Sequence, residues 1–302
     1  MDGVAPVGKG RILLGDDLAA LIAKTGIPRE AMVDHGLKFI RRKVPGEVIY
    51  FMANQSAKAV DEWIPIASPI RSALLMDPMT GALGKANTRI ENSMTAIRLQ
   101  LLPGESRILR VFENEETDAP MWPITTPSGA PLEVKGPWTI RFVEGGPVLP
   151  AEAKVEKLVS WTETADPEAR RFAGAASYST SFTLPEKADK WVLDLGDVRE
   201  SARVSVNGKS AGVLIAHPFR LDITGFLIDG ANSIEIEVTN LSANRIRDLD
   251  QRKVGWKKFD DINIVDHKYK KFDATEWPTE PSGLLGPVTL TPMTVTFPAA
   301  HP

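Results

Sequence analysis

The chain contains no cysteine, so disulfides and thiolate metal sites are excluded and the redox compartment is left open. No apolar run approaches the ~18–20 residues that a membrane-spanning helix needs. The opening residues, MDGVAPVGKGRILLG, lack the charged-then-apolar order of a signal peptide, and the localisation stays open. Neither sign of charge dominates: 36 Lys and Arg stand against 39 Asp and Glu, a net charge of −3. The densest basic run, Lys253 to Lys271, is interrupted by Asp260, Asp261 and Asp266, so the electrostatic footprint of a nucleic-acid surface is missing. No partner of nucleic-acid or membrane type is therefore expected. His35, His217, His267 and His301 show no metal-ligand spacing, which makes zinc improbable. Ser160, Ser201 and Ser282 lack a G-x-S-x-G setting, and the GKG at Gly8 lacks the remainder of a phosphate loop.

What is present is the balance of a globular protein, 43% apolar and 25% charged over 302 residues, long enough for two domains of ~150 residues. Residues 1–30 read as one strand and one helix: KGRILLG, then LAALIAKTG, with Asp16 or Asp17 as N-cap and Gly26 as C-cap. A lone β-α unit cannot bury its own apolar faces. It either docks on the next domain or is the remnant of an upstream domain, and the second is the expectation. Residues 31–115 change to period two. LKFIRRK and EVIYFMANQS flank a turn at Pro45–Gly46, with further strands at ALLMD, TAIRLQLLP and SRILRVF, the pattern of an antiparallel sandwich. Residues 116–135 carry acidic residues and prolines and read as a linker, with an ordered strap as the alternative. Residues 136–302 are again strand-rich, and Asn207–Gly208 between ARVSV and KSAGVLI is a strong hairpin signal. The fold class expected is all-β: two antiparallel β-sandwiches behind a short β-α remnant.

The ordered segments GPWTIRF, LVSWTE, FAGAASYSTSFTLP and WVLDLGDVRESARVSVNGKSAGVLIAHPFRLDITGFLIDGANSIEIEVTN resemble the sugar-binding domain of glycoside hydrolase family 2, a galactose-binding-like jelly roll. The stretch NRIRDLDQRKVGWKKFDDINIVDHKYKKFDATEWPTEPSGLLGPVTL is more similar to the C-terminal end of α-L-rhamnosidase-like enzymes of glycoside hydrolase family 106. The resemblance implies a jelly roll at 136–302, an accessory sandwich at 31–115, and an upstream catalytic (β/α)8 barrel as partner. It implies a carbohydrate as ligand, a rhamnose-containing oligosaccharide among the options. Glycoside hydrolysis needs two carboxylates ~5–9.5 Å apart on a rigid scaffold. In these families that pair lies in the barrel, and no catalytic residue carries over to this chain. It is therefore expected to be inactive alone, as an accessory region, a free-standing carbohydrate-binding module, or a structural interaction module.

Four groups of residues could carry a function. Aromatic rings stack on the C–H face of a pyranose. For Trp161 and Tyr178, placed in or beside strands, core packing is the expectation. For Trp256 and Trp277, in charged loop-like sequence, ligand or interdomain contact stands level with packing; Tyr269 is a further candidate of the same aromatic set. Asn244, Arg245, Arg247, Asp248, Asp250 and Arg252 follow a strand end, on a connection where function concentrates. They can grip vicinal hydroxyls, or form an ion-pair cluster that pins the loop. Asp248, Asp250 and Asp261 are weak candidates for a structural calcium, without the glycine and bidentate Glu of an EF-hand loop; no other cofactor is expected. His217, before Pro218, is a ligand contact or a plain hydrogen-bonding residue.

Overall fold

The computed structural model describes residues 3–185, 187–257, 270 and 272–297. The chain divides into two compact units, Met1–Pro123 with Phe297–Pro302, and Ile124–Thr296. Among the described residues no helix is long and apolar enough to cross a membrane.

The first unit opens with β1 (Gly3–Val7) and β2 (Gly10–Leu14), an antiparallel hairpin, followed by α1 (Leu18–Ala23). The Asp17 carboxylate caps α1 by accepting from the backbone N–H of Ala19 and Ala20 at 2.9 and 3.2 Å. The single strand of the expected β-α unit is thus a hairpin, because Gly8 takes φ +57° and turns the chain back. Then come β3 (Leu37–Val44), β4 (Glu47–Asn54), β5 (Val60–Ile66), β6 (Ser72–Met76) and β7 (Leu83–Lys85). β8 (Thr88–Glu91), β9 (Met94–Leu101) and β10 (Ser106–Phe112) complete the unit. They form a five-stranded sheet, β3-β4-β10-β6-β7, and a three-stranded sheet, β5-β9-β8. Alternation decides which faces meet: Val48, Tyr50 and Met52 of β4, Leu109 and Val111 of β10, and Ile97, Leu99 and Leu101 of β9 share one buried core. β5, VDEWIPI, is an edge strand, the position in a sheet where Pro65 is tolerated.

A buried polar set ties the connection ahead of β3 into this core. The Tyr50 hydroxyl donates to Glu30 Oε1 at 2.6 Å and lies 2.9 Å from Ser68 Oγ, while the Ala67 N–H donates to Glu30 Oε2 at 3.1 Å. Burial, reinforced by the Glu30 hydrogen bond, pushes the Tyr50 phenol up to about 12.

The second unit contains β11 (Ile124–Pro127), β12 (Leu132–Glu133), β13 (Trp138–Gly146), β14 (Ala153–Val155), α2 (Pro167–Arg170) and β15 (Ala173–Thr183). It continues with β16 (Lys190–Asp194), β17 (Asp197–Arg199), β18 (Ser201–Val206), β19 (Lys209–Leu214) and β20 (Arg220–Asp222). β21 (Ala231–Thr239), α3 (Ala243–Gln251), β22 (Gly283–Gly286) and β23 (Thr289–Thr296) close it. One sheet runs β11-β23-β16-β20, with β12 also on β23; a second runs β14-β13-β15-β21-β18-β19, and β17 pairs with β22. Trp138 and Ile140 of β13, Val204 of β18 and Ile236 of β21 meet Trp191 and Leu193 of β16 and Leu290 of β23 in a single core, as in two sheets packed face to face. At the β18–β19 hairpin both Asn207 and Gly208 have positive φ, +51° and +74°, which a two-residue primed turn requires.

The stretch read as a linker, 116–135, is structured by both units. Lys85 bridges Met121, and Asn87 Nδ2 donates to Trp122 O at 3.0 Å. β11 and β12 pair with β23, and Val134 enters the second core. Its proline content suppresses helix but leaves backbone groups that the sheet edge can pair.

Both described tyrosines should titrate only with loss of structure. Burial pushes Tyr178 up to about 12, against the hydrogen bonds it accepts from Leu284 N and Trp161. A folded-state pKa above the unfolded value near ~10 means that each phenol's contribution is intact below pH ~10 and lost as pH rises through its folded value, about 2–3 kcal/mol by pH ~12. Absorbance at 295 nm is expected to show these two phenolates appearing together with loss of near-ultraviolet circular dichroism. Their appearance while the fold is intact would refute it.

Candidate functional site

The polar and aromatic residues singled out after β21 converge in the second unit, around α3 and the segment that leads into β22. α3 is a helix where the sequence reading placed a connection; Ile246 and Leu249, three apart, give it a partly buried face. Its first turn is anchored by side-chain amides. Asn244 is buried, donates to Glu280 O at 2.7 Å and Ser282 Oγ at 3.2 Å, and accepts from Glu280 N at 2.9 Å. Just before the helix, Asn240 donates to Phe172 O at 2.9 Å and Ser282 Oγ at 3.1 Å and accepts from Gly174 N at 2.9 Å. Ser160 Oγ accepts from Ser282 N at 2.9 Å. The Asn244 amide is thus bonded at both ends to the segment that leads into β22.

Arginines surround Asp248. It accepts from Arg245 at 2.7 Å and from Arg252 at 2.7 and 3.0 Å, with Arg171 at 3.6 Å. Arg171 also pairs with Glu168. These contacts form an ion-pair cluster that ties α3 to Arg171.

Asp250 sits at the other end of the helix, its side chain 7% exposed. Its oxygens accept from Trp256 Nε1 at 2.7 Å, Ala274 N at 2.9 Å and Lys257 Nζ at 3.1 Å. Burial works to raise its pKa, but the hydrogen bonds from Ala274, Trp256 and Lys257 outweigh it and hold the carboxyl below its ordinary value. Among the described residues no three His, Cys, Asp or Glu side chains are grouped to hold a metal. Asp261, like Asp260, Asp266 and Tyr269, lies outside the described residues.

Three rings pack beside this bracing. Phe272 meets Trp256 edge-on at 6.0 Å and Trp277 edge-on at 5.4 Å between centroids. Lys257 Nζ lies 5.4 Å from the Trp256 centroid and 5.2 Å from that of Phe272, a cation–π distance. Arg247 Nε donates to Trp277 O at 2.8 Å and Nη1 donates to Gln251 Oε1 at 3.1 Å, while Gln251 Nε2 donates to Thr275 O at 3.1 Å. Trp256 is held by its indole N–H; Trp277 is 37% exposed.

His217 belongs elsewhere. It is exposed in the connection before β20 and stacks on Phe219, 6.2 Å between centroids and 7° between planes. No described contact joins it to the α3 residues. Trp161 and Tyr178 are core residues, 1% and 0% exposed, with Trp161 Nε1 donating to the Tyr178 hydroxyl. Phe272, Lys257 and Asn240 were missed in the sequence. Only the last carried a signal, an Asn closing a strand ahead of a loop.

No family model matches the chain. Over 120 residues it is 36% identical to a protein of Formosa agariphila described as "Putative beta-glucuronidase", covering 38% of this chain and 10% of that protein. Among solved structures it is similar to a rhamnosidase from Novosphingobium sp. PP1Y, with TM-score 0.72 and 26% identity, over 96% of this chain and 27% of that one. The chain thus spans about a tenth of the curated relative and about a quarter of the solved rhamnosidase. The relatives are named as glycoside hydrolases, and this chain matches a part of each.

Proposed function

We propose that this chain is an accessory, C-terminal-type β-sandwich region of an α-L-rhamnosidase-like glycoside hydrolase, of the family 106 kind, without turnover of its own. The observation that carries the reading is the match over 96% of this chain to only 27% of a rhamnosidase. The second unit is read as the galactose-binding-like jelly roll and the first as the accessory sandwich. Its role is to brace a catalytic barrel and to line the substrate with the α3 loop, where Trp277 offers an open ring to a sugar face and Arg247 steadies the backbone beneath it.

The chain by itself is expected to release no chromophore from aryl-α-L-rhamnosides; robust turnover would sink the reading. Titration with rhamnose-containing oligosaccharides is expected to quench tryptophan fluorescence at millimolar concentration. Trp277→Ala should weaken that binding about tenfold, in line with ~1–2 kcal/mol for one stacked ring. The exposed, rigidly backed Trp277 also favours a second reading, a free-standing carbohydrate-binding module. Tight binding with no effect of the chain on any rhamnosidase activity would select it.

A further inference from the structure

A recess of about 580 Å³ opens in the second unit on the outer face of the β14-β13-β15-β21-β18-β19 sheet. The strand register accounts for it. Ile140, Tyr178, Ile236 and Val204 belong to the core, so their chain neighbours Thr139, Ser179, Glu235 and Ser205 take the opposite face. Those four pair straight across β13, β15, β21 and β18: Thr139 with Ser179, Ser179 with Glu235, and Glu235 with Ser205. Ser181 and Ser233 pair beside them on the same face. Short side chains leave open a floor that long ones would fill, and Pro137 and Gly208 also line the recess. Ser179, Ser181, Ser233 and Glu235 are exposed.

The chemistry of the lining selects a class of ligand. The volume falls within the ~300–1,000 Å³ of small-molecule sites. Serine and threonine hydroxyls both donate and accept, and a carboxylate accepts only. Among the described residues Glu235 is the one charged group of the lining, and no aromatic ring joins it. Ser177, 8% exposed, donates to Glu235 Oε1 at 2.6 Å, which fixes the carboxylate and leaves Oε2 to a ligand hydroxyl. The arginines on this face are already matched, Arg203 with Glu237 and Arg141 with Glu152, each at 3.0 Å. The recess is therefore locally negative, which repels anionic sugars, and too polar for an apolar ligand. We infer that it is a separate binding site for a short uncharged oligosaccharide, with Glu235 and the hydroxyls around it gripping the sugar hydroxyls. Among the described residues none from α3 or 272–282 lines it, so the site goes beyond the contact proposed at Trp277 and does not depend on it.

Cellohexaose, xylohexaose and mannohexaose serve as neutral probes and hexagalacturonate as the anionic one, each titrated into the whole chain and followed by ligand-observed NMR. At least one neutral probe is expected to bind at millimolar concentration, and hexagalacturonate about tenfold more weakly. Glu235→Gln keeps the shape and an acceptor for Ser177. It should cost about fivefold in affinity for the neutral probe, for want of charge assistance, and remove the discrimination against hexagalacturonate. Ser179→Tyr, which places a ring on the exposed floor, should abolish binding, with thermal melts of both variants establishing the fold. Should Ser179→Tyr melt early, Glu235→Gln decides. Binding that survives these substitutions, or that Trp277→Ala alone removes, places the sugar elsewhere and overturns this inference. Failure of every neutral probe overturns it, as does equal affinity of the wild type for hexagalacturonate. The accessory reading falls on a different result, turnover by the chain alone.

Discussion

Trp161→Ala is expected to destabilise the second unit by about 3–5 kcal/mol, the cost of deleting a large ring from a packed core. Trp161 is 1% exposed and meets Phe142 and Phe172 at 5.2 and 5.8 Å between centroids. Its indole N–H donates to the Tyr178 hydroxyl, which also accepts from Leu284 N at 3.1 Å. The deletion removes ring contacts and leaves that hydroxyl short of a donor. Trp161→Phe keeps most of the packing and loses only the N–H, so it should cost about 1–2 kcal/mol. Space above the pair is also filled: a Cβ on Gly283, which sits at φ +96°, would lie 2.5 Å from Trp161 Nε1. Urea denaturation of the two variants, followed by near-ultraviolet circular dichroism, measures the difference. Equal midpoints for both would show that packing is not what Trp161 supplies.

Asp250→Ala should cost about 2–4 kcal/mol, because three donors lose their acceptor at once, and under the proposed function it should abolish sugar binding as well. Among the described residues, the ammonium of Lys257, 20% exposed, would keep Phe272 O at 2.9 Å and the two ring faces. Asp250→Asn retains an acceptor for Trp256 and should keep most of the loop geometry. The pH dependence has a definite sign. The folded pKa lies below the unfolded value of ~3.9, so the contribution is present above pH ~4 and lost as the pH falls through the lower folded value. Melting followed from pH 6 to 3 should show the wild type and Asp250→Asn converging at the acid end. A constant gap would place the stabilisation elsewhere.

Much of the strand content was legible because alternation and turn chemistry are local. EVIYFMAN and IEIEVT state their buried faces in period two, and Asn207–Gly208 states its turn through two positive φ values. β5 was harder to read, because Pro65 in VDEWIPI argues against a central strand and only the sheet order shows an edge. The hairpin β1–β2 was read as a single strand, since GVAPV carries no alternation. α3 was read as a connection because its short run is dominated by polar and charged residues.

For the candidate site, the sequence by itself determined which chemistry was available: aromatic rings, guanidinium groups and carboxylates concentrated after β21, in an all-β chain whose relatives are glycoside hydrolases. Only the tertiary structure decided how each group is used. Asp248 is drawn into an ion-pair cluster because Arg171, from the segment beside α2, is brought within 3.6 Å of it. Glu280 and Ser282, far along the chain, take both ends of the Asn244 amide. Hydrogen-bond saturation depends on partners that spacing in the chain does not reveal. Trp277 is the most exposed of the three rings, with its backbone carbonyl held by Arg247.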